Sequence, residues 1–468
     1  MTVSRWRATD YFGISQSVLK IMSVTGVLAA ADLDSAPAAA DKLATIYALC
    51  SQDSCRDGAE PQGLLPDKSG NIYGVARNGG SDNHGVVFEL KDGTIYQLIH
   101  TFCKGGACRD GAFPSGSLII DTSGSLYGTT MNGGRHDAGI VYRLVRSGTS
   151  WTFQKLHDFC AVGDKCRDGA FPSGGLTYAG AAKGEPYDGT APLYGVTTGG
   201  FAGGKPYGAV VYQLQPGRDP DGEWTATILR TFCSEGGGSC PDGAVPTGRL
   251  LADEQGNLFG TTSLGGANHP KGYETGGGLV FRMSQHGEQW KETVLYNFCS
   301  RHKCQDGAAP WGSLIFSGTG GLLGAANSGG AQCNPTDLVH TACGVVFELA
   351  RNGSDWQETV LHGFCMKKDC RDGVAPRAPL YLDSGGDLFG VTTYGGGNDI
   401  DVSHIGGGIA YRLTASTFTV LHAFCAVASC QDGSYPVAGI AGDAKDRLIG
   451  TTLMGGISGA GTVFELKR

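Results

Sequence analysis

Four short apolar runs recur in fixed order along this chain, each bounded by glycine or by polar turn residues. One copy reads "APLYLD", "GDLFGVTT", "GGIAYRL" and "TFTVLHAF" between residues 378 and 424. The third run returns as "GVVFEL", "GIVYRL", "AVVYQL", "GLVFRM", "GVVFEL" and "GTVFEL". Its first half is apolar on both faces, as expected of strands sandwiched between neighbouring sheets. Each fourth run leads into two cysteines, then Asp-Gly, then proline, as in "LHGFCMKKDCRDGVAP" at 361–376.

Seven such cysteine loops begin at positions 50, 103, 160, 233, 299, 365 and 425, so the steps between them are 53, 57, 73, 66, 66 and 60 residues. Periods of this size, built from short β segments, indicate a propeller or a solenoid. Four strands per unit and seven units predict an all-β, seven-bladed β-propeller. A lone fourth-type strand ("TIYALC") precedes the first full unit, and the chain stops after a third-type strand ("TVFELKR"). The N-terminal strand is therefore expected to complete the last blade and close the ring. A solenoid would need capping repeats at both ends, and none is visible.

The recurring pattern "LYGTT…GG…GGxVFxL…VLHxF" resembles the extracellular tandem-repeat family known as GloVer repeats. The stretches that carry the resemblance are "SLYGTTMNGG" (125–134), "NLFGTTSLGG" (257–266), "DLFGVTTYGG" (387–396) and "RLIGTTLMGG" (447–456), and it covers residues 44 to 468. It implies a secreted, propeller-like protein of uncharacterised function, often with a surface anchor. Here the chain stops at Lys467-Arg468 with no anchor. The family brings no catalytic residues.

Glycine, 78 of 468 residues, is spread evenly and marks turns, not a linker. A net charge of −8 without a basic stripe argues against nucleic acid as a partner. No run of eighteen apolar residues is present, so no transmembrane segment is expected. Residues 1–40 read as a signal peptide and leader: Arg5, Arg7 and Lys20 supply positive charge, Ile21 to Ala31 an apolar core, and Ala38-Ala39-Ala40 a cleavage site, with a second candidate cut after Ala31. Residues 41–468 are then one propeller domain, secreted and monomeric.

The 16 cysteines fall into eight near pairs: Cys50/Cys55, Cys103/Cys108, Cys160/Cys166, Cys233/Cys240, Cys299/Cys304, Cys333/Cys343, Cys365/Cys370 and Cys425/Cys430. Local pairs in an exported chain predict disulfides. The rival, zinc, takes two such pairs per ion, and seven loops spaced around one fold would not bring pairs together. No metal and no cofactor are expected.

Residues present in every unit hold the unit together more often than they carry a single site. The aspartates Asp57, Asp110, Asp168, Asp242, Asp306, Asp372 and Asp432, each followed by glycine and four residues later by proline, are read as turn-formers, against the alternative of a cation-binding ring. The position filled by Tyr47, His100, His157, Arg230, Tyr296, His362 and His422 is read as a half-buried polar packing position.

The copies differ in the loop between second and third strands. It is short in units 1, 2 and 7 and long in unit 4 (267–277), unit 5 (331–343) and unit 6 (397–407). By analogy with other propellers, this loop and the cysteine loop share a face. Three long loops would raise a polar wall carrying His269, Lys271, Tyr273, Glu274, Asp337, His340, Asp399, Asp401 and His404. These are the candidate binding residues, with no catalytic residue assigned. Asp399, Asp401 and His404 could also ligate an ion or act in acid–base chemistry. The expected function is non-catalytic recognition of an extracellular glycan or protein, glycan resting on the aromatics Tyr273, Tyr394 and Trp311. An extracellular polysaccharide hydrolase or lyase using the same wall, and a structural envelope or matrix protein, are the alternatives.

Overall fold

The computed structural model describes residues 43–162, 166–202, 205–217, 224–233, 240–269, 275–331, 343–353, 355–398, 406–443 and 445–467. The described chain is all-β, with strands joined by turns and a few single-turn 3₁₀ segments. Strand β1 (Leu43–Ala48) stands apart in sequence from the first full unit, which comprises β2 (Ala59–Pro66), β3 (Ile72–Asn78), β4 (Val86–Lys91) and β5 (Ile95–Thr101). These last four form one antiparallel meander in chain order.

Five sheets follow a four-strand path and are arranged as the blades of a β-propeller. The sixth runs eight strands, two antiparallel meanders that meet at a parallel bridge, Gly175 with Ser117, beside a second parallel bridge, Asp121 with Tyr187. The sequence predicts separate four-stranded units throughout. Glycine permits this approach, because a Cβ at Gly116 would collide with the backbone of Gly174 and Gly175. Without side chains there, the innermost strands of units 2 and 3 come within bonding reach.

The "LYGTT" run is buried on both faces; its unit-2 copy has five consecutive buried residues. Its glycine is required by the strand beside it. Gly74, Gly128, Gly195, Gly260, Gly324, Gly390 and Gly450 sit in register with Phe88, Tyr142, Tyr212, Phe281, Phe347, Tyr411 and Phe464. In each case a Cβ would drive into the ring of the partner. The glycine and the aromatic of "VVF" are thus one packing unit split between two strands.

Consecutive units are joined by a repeated contact. The residue before the proline donates its N–H to the carbonyl that precedes the third strand of the previous unit. The pairs are Phe113 to His84 (2.8 Å), Phe171 to Ala138 (2.8 Å), Ala309 to Gly277 (2.8 Å), Ala375 to Cys343 (3.0 Å) and Tyr435 to Gly407 (2.8 Å). These donors are all left-handed, with φ between 51° and 58°. The same bond runs from Glu60 to Ala460 (2.8 Å). β1 pairs antiparallel with Thr462–Leu466, and Tyr47 lies opposite Val463 across the same bulge that sets His100 opposite Val87.

Candidate functional site

The cysteine loops are built around the buried carboxylates. Seven disulfides are formed, Cys50–Cys55, Cys103–Cys108, Cys160–Cys166, Cys233–Cys240, Cys299–Cys304, Cys365–Cys370 and Cys425–Cys430. Cys343 is disulfide-bonded as well; its expected partner, Cys333, lies outside the described residues. All fourteen cysteines of the seven loops have positive φ. That conformation is disfavoured for a residue with a Cβ, and the short covalent ring holds it.

Each aspartate turns inward and caps the loop. Asp306 is fully buried and accepts from Ser300 N–H (2.9 Å), Arg301 N–H (3.2 Å), the Ser300 hydroxyl (2.9 Å) and the Tyr296 hydroxyl (2.8 Å). Asp57, Asp168, Asp372 and Asp432 accept the equivalent pair of backbone N–H groups. Asp110 and Asp242 take the N–H of Cys103 and Cys233 instead. All seven therefore hold the backbone of their own loops, in keeping with the turn-forming role expected from sequence.

The position shared by Tyr, His and Arg has a sharper role than packing. Tyr47, Tyr296, His100, His422 and Arg230 all reach the aspartate of their own loop, at 2.8, 2.8, 3.1, 2.9 and 2.8 Å. Tyr, His and Arg have one property in common here, a side-chain donor, and that was the legible signal. Burial would raise the Asp110 carboxyl, but the bonds from His100 and the Cys103 N–H hold it below the usual range. Burial pushes the Tyr47 phenol up to about 12.

The same side chains also face the outer strand of the next unit. Tyr47 stacks on Tyr96 (4.9 Å between centroids), His100 on Phe153 (4.8 Å) and His362 on Phe418 (3.7 Å), while Arg230 pairs with Glu292 (2.7 Å). In unit 5, Arg301 reaches the buried Glu358 at 2.8 Å. Burial pushes Glu292 and Glu358 up to about 7 even against their arginines, with Asp242 and Asp306 adding to the rise.

His157 and His362 differ from the rest, for their Nε2 atoms are buried without a hydrogen-bond partner. Burial pushes His362 down to about 4, so it stays neutral at pH 7. The change His362→Tyr should give Asp372 the hydroxyl that Asp57 already has, while keeping a ring against Phe418. The expected gain is about 1 kcal/mol, read as a higher urea midpoint with unchanged slope.

The long loops rise beside these clamps. The carbonyl of the second cysteine accepts from the Gly-Gly pair that opens the loop: Cys240 from Gly266 (3.0 Å) and Cys370 from Gly396 (3.1 Å). Asn268 and Asn398 then tie the loop bases of units 4 and 6 to the ends of their outer strands. Each amide donates to two carbonyls, Asn297 and Phe298, or Ala423 and Phe424. The described bases of these two loops therefore lie beside the clamps.

Of the nine candidate residues, His269 is exposed, with its Nε2 2.9 Å from the Gly266 carbonyl. Lys271, Tyr273, Glu274, Asp337, His340, Asp399, Asp401 and His404 lie outside the described residues. Trp311 is half-buried beneath the Arg377 guanidinium (5.6 Å), and Tyr394 packs edge-on against Tyr435. Unit 3 holds a feature the sequence reading missed, a hairpin arm of Leu193–Ala202 and Lys205–Gln215. Its signal was the long glycine-punctuated run "TTGGFAGGKPYGA".

One family model, the Gloeobacter/Verrucomicrobia repeat, matches residues 37–270 and 184–464. The chain belongs to this family. No curated protein matches this Gloeobacter/Verrucomicrobia repeat protein. Among solved structures it is similar to a protein of unknown function from Dyadobacter fermentans DSM 18053 (12% identity, 91% of this chain and 100% of that one, TM-score 0.42). It is also similar to the Cps50 (Swd1) β-propeller domain of Myceliophteria thermophila (9% identity, 91% and 99%, TM-score 0.49). A third is a putative 6-phosphogluconolactonase from Bacteroides fragilis NCTC 9343 (12% identity, 83% and 86%, TM-score 0.44). Among the described residues of the repeat protein, no helix is long and apolar enough to cross a membrane.

Proposed function

We propose that the repeats close into a seven-bladed ring, exported after loss of residues 1–40, that binds an extracellular glycan or protein without transforming it. The binding surface is the clamp face where the long loops of units 4, 5 and 6 stand, with His269, Lys271, Tyr273, Glu274, Asp337, His340, Asp399, Asp401 and His404 as its contacts. Seven units follow if the eight-stranded sheet is counted as two blades, since its halves are each an antiparallel four-strand meander, joined among the described residues by the parallel bridges Gly175–Ser117 and Asp121–Tyr187. Support for closure comes from the last unit meeting the first as other units meet. Glu60 bonds Ala460, Tyr47 stacks on Tyr96, and the Thr451 hydroxyl reaches the Pro61 carbonyl (3.5 Å).

The observation that carries the binding reading is how fully the repeated polar groups are used internally. The aspartates hold their own loops, and in five units the side chains of Tyr47, His100, Arg230, Tyr296 and His422 bond the aspartates. What distinguishes one part of the clamp face from another is left to the loops, and polar loops on a rigid scaffold are where recognition usually sits.

To test this, residues 41–468 with disulfides intact are incubated with a panel of extracellular polysaccharides and proteins, captured, and both fractions weighed by mass spectrometry. Retention of a panel member at its original mass is expected. Shortened or unsaturated fragments would replace the binder by an enzyme, and no retention across the panel would count against binding.

A further inference from the structure

We propose that the Cys103–Cys108 disulfide, alone among the seven clamps, is a thiol–disulfide exchange site, with His84 as its proton donor. One ring nitrogen of His84 and the two sulfurs lie within 4.8 Å of one another. The Nδ1 atom of this ring is buried and has no hydrogen-bond partner. The residue is singular. At the matching place in other units stand Ala138, Gly277, Gly407 and Ala460, whose carbonyls accept the same inter-unit bond. At Cys343 the place is taken by a disulfide-bonded cysteine. Among the described residues, His84 is the one histidine grouped with both sulfurs of a clamp.

The two sulfurs are unequal in the way exchange requires. Cys103 is fully buried, whereas Cys108 is half-buried at the end of a glycine loop. Gly105 and Gly106 are exposed, and a Cβ on either would meet nothing within 4 Å. The clamps ending at Cys55, Cys304, Cys370 and Cys430 close instead with a 3₁₀ turn. Exposed Lys104 and Arg109 flank the site and favour approach of an anionic thiolate.

The step balances as follows. An incoming thiolate bonds Cys108 Sγ, the S–S bond breaks, and its electron pair leaves on Cys103 Sγ. That sulfur takes the proton from the His84 imidazole. A second thiol attacks the mixed disulfide, releases Cys108 as the thiol and departs as an oxidised disulfide. The partner is therefore a small-molecule or protein thiol; in reverse, the clamp oxidises a dithiol. Histidine suits the part because it gives and takes a proton near neutral pH, and leaving-group protonation accelerates exchange.

The native full chain is exposed to glutathione at neutral pH, quenched in acid and alkylated, and each cysteine peptide is followed by mass spectrometry. The other six clamps serve as internal standards. Cys103–Cys108 should exchange at least about tenfold faster than they do, with glutathione trapped on Cys108. His84→Ala, which installs the residue units 2 and 7 already carry, should return its rate to theirs. Ala460→His should conversely accelerate exchange at Cys50–Cys55, and this arm decides the matter if His84→Ala fails to fold. Equal rates at all seven clamps overturn the proposal. So does an unchanged rate in folded His84→Ala, or no gain in Ala460→His when the first variant cannot be read.

Discussion

Replacing Asp306 by alanine should lower the unfolding free energy by about 3–5 kcal/mol, because it removes a buried carboxylate and leaves backbone donors without an acceptor. The carboxylate accepts from two backbone N–H groups and two hydroxyls; the Tyr296 and Ser300 hydroxyls also lie 2.8 Å from each other, so the N–H groups of Ser300 and Arg301 are the donors left stranded. Hydrogen bonds to an ionised group are each worth more than neutral ones, and here they share one residue. Asp306→Asn keeps the shape and part of the accepting capacity, so its loss should be smaller. Urea unfolding followed by tryptophan fluorescence decides between them. A fall below 1 kcal/mol for the alanine variant would mean that the disulfide alone holds the loop, with the carboxylate a spectator.

Deleting residues 1–48, and with them β1, should cost at least about 4 kcal/mol. Five residue pairs of the β1 ladder are lost, along with the Tyr47–Tyr96 stack and the Tyr47–Asp57 bond. The strand Thr462–Leu466 is left as an open edge beside apolar neighbours, an arrangement that invites pairing with other chains. A synthetic peptide spanning residues 41–52 should restore the midpoint saturably when added in trans. A truncated protein as stable as the full chain, and as monomeric, would contradict a closed ring.

Much of the blade was legible in the sequence because each unit repeats the same paired signals. The aromatic of "VVF" and the glycine of "LYGTT" lie in different strands, yet each occurs where the other needs it. The Asp-Gly-x-x-Pro spacing likewise carries its own physics: a capping carboxylate, a turn, and a proline entering the next unit. The donor role of Tyr47, His100 and Arg230 was harder to see. Its target, the aspartate, is ten to twelve residues away across a disulfide ring, and no local periodicity links them. The fusion of units 2 and 3 at Gly116 and Gly175 was illegible for a similar reason. Glycine permits close approach, but only tertiary placement says what approaches. Loop residues such as Asp399 and His404 occur once, so the chain offers no second copy against which to read them.

The claim at the centre of this account is that the repeated residues build a scaffold while the long loops of units 4 to 6 bind the ligand. Its most direct test replaces residues 267–277, 331–343 and 397–407 together by the short unit-2 connection "RHDA" (135–138), leaving the seven clamps and their aspartates in place. Capture of the retained glycan or protein is then compared with the parent at matched urea midpoint. The account predicts that the loop-replaced protein keeps its fold and loses capture. A folded protein that still captures the same partner at the same strength would contradict it.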